Sequence, residues 1–175
     1  MNYIIIIIAI LFSSISHANP YENLKTVQGI SGEIQTGDEI QKYSYYGKDL
    51  KYVDKYLEIA SKASIDMLEN DYNLKKCKNI NLEILDISMN EMNNRQVNTG
   101  PNWDGLQLNK IVGFYDSITV PGTGVIEIPN DVSKSLKAET IAHEIAHYWQ
   151  DVYCFKNDYH KQFESFAIKI EDSIR

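Results

Sequence analysis

Apolar and polar positions change period several times along the chain, and each change marks an element. Residues 4–12 are an unbroken apolar run, followed by Ser13, Ser14, Ile15, Ser16, His17 and Ala18. Residues 19–46 carry Gly29, Gly32 and Gly37 among polar side chains with weak periodicity, and read as an irregular lead-in. The folded domain is then expected over 47–175. From about 48 to 69, Val53, Tyr56, Leu57, Ala60, Ala63 and Met67 recur at three- and four-residue spacing, which predicts an amphipathic helix. After Cys77 the period becomes two. Ile80, Leu82 and Ile84 alternate with Asn81 and Glu83, as a half-buried strand requires. Residues 89–105 are polar, with Gly100-Pro101 and Asp104-Gly105 as turn signals, and predict a long loop. Two β-branched and aromatic runs, 111–115 and 125–128, flank a segment holding Pro121, Gly122 and Gly124, so a β-hairpin ending at Pro129 is expected. Ser133 or Ser135 caps a helix running to about Val152, and Asn157 or Asp158 caps another running to about Ser173. Helices and strands in this order make an α+β domain.

The first apolar run bears on compartment. Crossing the hydrocarbon core takes about 20 apolar residues, and this run is much shorter. Ser16-His17-Ala18 puts small residues at the two positions a signal peptidase reads, so 1–18 read as a signal peptide cleaved after Ala18. The chain is then expected to be exported, periplasmic or secreted, with no stable membrane span after cleavage. Met1-Asn2-Tyr3 has no Lys or Arg, and an uncleaved, membrane-associated segment is the alternative. In an oxidising compartment Cys77 and Cys154 pair by default; two separate buried thiols are the alternative.

Composition narrows the partners. The 175 residues amount to one domain, and 24 acidic against 17 basic side chains give a net charge of −7, none of it from 1–18. Without a Lys/Arg cluster there is no electrostatic reason to bind a phosphate backbone, so no nucleic-acid partner is expected. The oligomeric state is open.

Chemistry is concentrated in His143-Glu144-Ile145-Ala146-His147. On a helix, His143 and His147 lie one turn apart on one face, so both imidazoles can reach a single tetrahedral Zn²⁺. Glu144 projects about 100° away from His143, a position suited to taking a proton from a metal-bound water rather than to ligation. Ile141, Ile145 and Val152 form another stripe that anchors the helix. The bland alternative is a solvated pair of histidines, because burying unpaired imidazoles is costly.

A catalytic zinc needs a third protein ligand and keeps one position open. In the last helix Tyr159, Phe163, Phe166, Ile170 and Ile174 form the apolar stripe, and Glu164 lies on its flank with His160 and Glu171. A short connection after Val152 suits adjacent helices and brings Glu164 toward the histidines. Glu164 is the leading third ligand; His160, Asp151, Glu171 and no third ligand are alternatives, as is a plain solvated charge. Cys154 lies about 10 Å beyond His147 along the helix axis, too far to share the ion, so a disulfide to Cys77 is its better use. Tyr148, Trp149, Tyr153, Tyr159 and His160 are candidate donors to a developing oxyanion, although aromatic residues more often pack. Asn102-Trp103-Asp104 is a candidate cleft lining.

These two motifs, His143-Glu144-Ile145-Ala146-His147 and then Glu164-Ser165-Phe166-Ala167, resemble the gluzincin type of zincin metallopeptidase, whose pattern is His-Glu-x-x-His followed by Glu-x-x-Ala on a later helix. The resemblance implies that His143, His147 and Glu164 bind one zinc ion and that Glu144 is the general base. It also implies that the strand at 125–128 is the sheet edge along which an extended polypeptide substrate lies. The expected form is a minimal single domain: an N-terminal helix, a small, mostly antiparallel sheet, the motif helix and a C-terminal ligand-bearing helix. The expected function is an exported zinc peptidase. A non-catalytic zincin-like domain that binds a protein or cell-wall partner is the alternative, and a metal-free binding module is the third.

Overall fold

The structure, a computed structural model, describes residues 19–37, 39–92, 94, 113–155 and 160–175, with backbone alone at 160 and 161. The expected signal peptide, Asn102-Trp103-Asp104 and the caps at Asn157 or Asp158 lie outside the described residues. The strands are β1 (Ile30–Thr36), β2 (Glu39–Tyr46), β3 (Asn81–Ile87), β4 (Phe114–Asp116) and β5 (Thr123–Pro129). The helices are α1 (Leu50–Asp66), α2 (Lys134–Val152) and α3 (His160–Ser173), with a 3₁₀ turn at Glu22–Leu24 and a π turn at Met67–Asp71. The architecture is α+β. Among the described residues one five-stranded sheet, ordered β1-β2-β3-β5-β4, carries α1, α2 and α3 on one face.

The alternation read from the sequence explains the layers. Leu82 and Ile84 of β3 with Ile126 and Ile128 of β5 point to the helices, where they meet Val53 and Leu57 of α1 and Ile141 and Ile145 of α2. Leu85, Ile87 and Val125 point the other way and are covered by Tyr21, Leu24 and Met92. Both faces are therefore buried in the middle of the sheet.

Four expectations are corrected. Residues 89–92 and 94, expected to open a long loop, are helical, and the remainder of 89–105 lies outside the described residues. The segment 19–46 is not an irregular lead-in, because 30–46 form the β1–β2 hairpin. Its pattern is hidden by Gly32, which opposes Tyr43 in the register. A Cβ there would fall 2.1 Å from Tyr43 Cζ, so the cross-strand ring occupies the place of an apolar side chain. Gly37, at φ +61°, serves the turn. The sheet is mixed rather than mostly antiparallel. Pairs β1/β2 and β4/β5 are antiparallel, but β2/β3 and β3/β5 are parallel, since α1 carries the chain back to run beside β2 in the same direction. Finally, the strand at 125–128 is internal. β4 pairs with β5 on its outer side through Tyr115↔Ile126, so β4 is the edge near the motif helix.

The motif helix is fixed at several points. The Ser133 hydroxyl accepts from Leu136 N at 3.2 Å and caps its start. Lys137 Nζ donates to both carboxylate oxygens of Asp86 on β3 at 2.8 Å, and Tyr45 Oη donates to the same group at 2.6 Å. Beyond its end, Cys77 and Cys154 are disulfide-bonded, and the amides of Cys77 and Lys78 both donate to Val152 O. No helix among the described residues is long and apolar enough to cross a membrane.

Candidate metal centre

Helical spacing places six polar side chains of α2 on two adjacent stripes. His143, His147 and Gln150 face α3, whereas Glu144, Tyr148 and Asp151 face the β4 edge. Phe166, Ala167 and Ile170 bury one side of α3 in the core, which turns Glu164 toward the two histidines. His143 Nε2 and His147 Nε2 are 3.2 Å apart, and Glu164 oxygens lie 3.3 Å from the first and 3.5 Å from the second. Ligand bonds of about 2.0–2.1 Å in a tetrahedral site require ligand atoms about 3.3 Å apart, so the donor set fits one ion of that kind. The three residues form a group able to hold a metal ion.

The other nitrogen of each imidazole has its own partner. His147 Nδ1 is 2.7 Å from Gln150 Oε1, and the ring stacks on Phe163 with centroids 4.8 Å apart. His143 Nδ1 lies 3.4 Å from Glu171 Oε2, and Arg175 donates to the second oxygen of Glu171 at 2.5 Å. Such partners orient a metal-binding histidine and leave Nε2 for the ion. Glu171 thus belongs beside the ligand set rather than in it.

Glu144 is buried against the edge strand. A Cβ on Gly113 would fall 2.4 Å from Thr140 Cγ2 and 2.7 Å from Glu144 Oε1, so only glycine lets the carboxyl approach β4 this closely. Burial pushes the carboxyl up to about 7; the charges of Glu164, Glu127 and Glu171 add to that rise and His143 opposes it. Burial depresses the charge of His143, but the bond to Glu164 and the charges of Glu144, Glu164 and Glu171 outweigh it, pushing the imidazole up to about 9.

The remaining candidates lie elsewhere. Tyr148 Oη donates to Ile80 O, Tyr153 Oη donates to Glu69, and Trp149 is buried in the core, so none of the three faces the ligand set. Asp151 pairs with Lys78 and accepts from Tyr115 Oη, one turn beyond His147, where it borders a pocket with Ser117 and Thr123. Tyr159 and the His160 side chain are outside the described residues. Cys154 is in the disulfide. Gln150 and Gly113 were not singled out in the sequence. The first had a usable signal, its three-residue spacing from His147; the second had none, because its role is a contact between distant positions.

No family model, no curated protein and no solved structure matches this chain. The chemistry of the site therefore follows from its own geometry.

Proposed function

We propose that the protein is an exported zinc-dependent peptidase of the gluzincin kind, with His143, His147 and Glu164 as ligands, Glu144 as general base and a polypeptide as substrate. One observation carries this: a His₂Glu set spaced for a tetrahedral ion, with a buried carboxyl on the adjoining stripe of the same helix. Two imidazoles and a carboxylate with an open fourth position are the donor set of a catalytic zinc. The chemistry that zinc supplies at such a point is a polarised carbonyl and a water whose pKa is lowered to about 7.

The chain's own residues supply the rest. Glu144, in surroundings that favour its protonated form, takes the proton of the attacking water and hands it to the leaving amine. Among the described residues β4 pairs only with β5, so its outer edge offers unpaired backbone groups to an extended peptide beside Gly113 and Glu144. The Cys77–Cys154 disulfide suits the oxidising compartment to which the expected signal peptide would lead.

Purified protein is expected to hold one zinc per chain and to cleave members of a peptide library. Glu144→Gln should keep the zinc and lose about 10²–10⁴-fold in kcat, the usual worth of a general base. His143→Ala should lose the metal. Protein that stays metal-free at micromolar zinc overturns the metal reading, and Glu144→Gln with undiminished turnover removes Glu144 from its role. Zinc without turnover in the unaltered chain would select the non-catalytic binding domain.

A further inference from the structure

Gln150 is fully buried in α2, three residues past His147, and is neither a ligand nor the base. Its amide has two partners. Nε2 donates to the backbone carbonyl of Phe163 in α3 at 3.0 Å, and Oε1 lies 2.7 Å from His147 Nδ1. A backbone carbonyl can only accept, so the NH₂ end of the amide must face α3. The opposite end is then an oxygen, which also only accepts, so His147 Nδ1 must carry the proton. In a neutral imidazole this leaves Nε2 with its lone pair, 3.2 Å from His143 Nε2 and 3.5 Å from Glu164.

We propose that Gln150 is a positioning residue that holds His147 in its metal-ready tautomer, and that it does so only while α3 is docked. The assignment passes from the carbonyl of Phe163 through the amide to the imidazole, and the next residue along α3 is Glu164. The contact that seats the third ligand thus also prepares the second. Stability alone gives no reason for an amide here, because a buried amide offers little net gain over an apolar residue of similar shape. The proposal rests on the metal reading above, and its test separates the two.

The full chain is compared with Gln150→Met, which has similar length and no hydrogen-bond donor, and with Gln150→Glu, whose ionised carboxylate keeps an acceptor for His147 but has no donor for Phe163. Imidazole ¹⁵N shifts of metal-free protein, at a pH where the ring is neutral, read the tautomer, and competition with a chromophoric chelator reads zinc affinity. Unaltered protein should show His147 as the Nδ1–H form. In Gln150→Met the Nε2–H form should appear and zinc should bind about 10–100-fold more weakly, the usual loss when the outer partner of a ligand is removed. Gln150→Glu should restore the Nδ1–H form and part of the affinity while melting at a lower temperature than Gln150→Met. A merely structural role predicts that affinity follows stability instead. An Nε2–H tautomer in unaltered metal-free protein, or unchanged tautomer and affinity in Gln150→Met, overturns the proposal. Because the tautomer is measured without metal, failure to bind zinc counts against the metal reading and leaves this test intact.

Discussion

At the scale of single residues, the site gathers charge that is comfortable only in particular protonation states. His143 in the metal-free fold titrates near 9, above its ordinary value of 6.5, so the stability it contributes is present below 6.5 and is lost as pH rises through about 9. Glu144 titrates near 7, above its ordinary 4.5, so the fold favours its protonated form and stability falls as pH rises from 4.5 through about 7. Both slopes have the same sign. The melting temperature of chelator-stripped protein should therefore fall steadily from acid to alkaline pH across this window, and a rise would contradict the placement of these groups. Zinc affinity should run the opposite way, since each ligand must shed its proton before it binds. The His143/His147 pair was legible because i and i+4 on a helix share a face whatever the rest of the fold does. Gln150 was legible only as a polar residue three positions past His147, since its role appears only when a carbonyl from another helix stands opposite it.

At the scale of elements, the motif helix is held in register by a polar clamp on its first turns. Asp86 receives Lys137 and Tyr45 at once, with Lys137 11% and Asp86 6% exposed. Asp86→Ala would leave the Lys137 ammonium buried without its counter-charge, a change that costs about 3–5 kcal/mol. A denaturant midpoint within experimental error of the unaltered protein would show that the clamp is not needed. α1, β3, α2 and the β4–β5 hairpin were legible from period and turn residues, within a few positions of their observed bounds. β1 and β2 escaped because Gly32 interrupts the apolar stripe and Tyr43 fills the gap from the opposite strand, a compensation local pattern does not record. The Gly37-Asp38 dipeptide was the signal that could have revealed the hairpin. Strand order escaped for a related reason. Nothing in the composition of 125–128 says that β3 will pair along its other side and leave 114–116 as the edge.

At the scale of the whole molecule, the Cys77–Cys154 bond joins the approach to β3 with the end of the motif helix across a sequence separation of 77. Cross-linking a loop of this order stabilises by about 4 kcal/mol in the chain-entropy account. Reduction, or replacement of both cysteines by serine, should lower the denaturant midpoint accordingly, and an unchanged midpoint would overturn this prediction. The helix layer has a further property. α2 is buried on nearly all sides, from Ala138 through Val152, whereas the described side chains of α3 that are fully buried are Phe166, Ala167 and Ile170. Amide hydrogens of α2 will consequently exchange with solvent only when the domain unfolds globally, and those of α3 through cheaper local opening. Glu164 rides on the less buried of these two helices. An ion held here would depart by α3 lifting away while both histidines stay in place, so its residence time would be set by that local opening rather than by the stability of the domain.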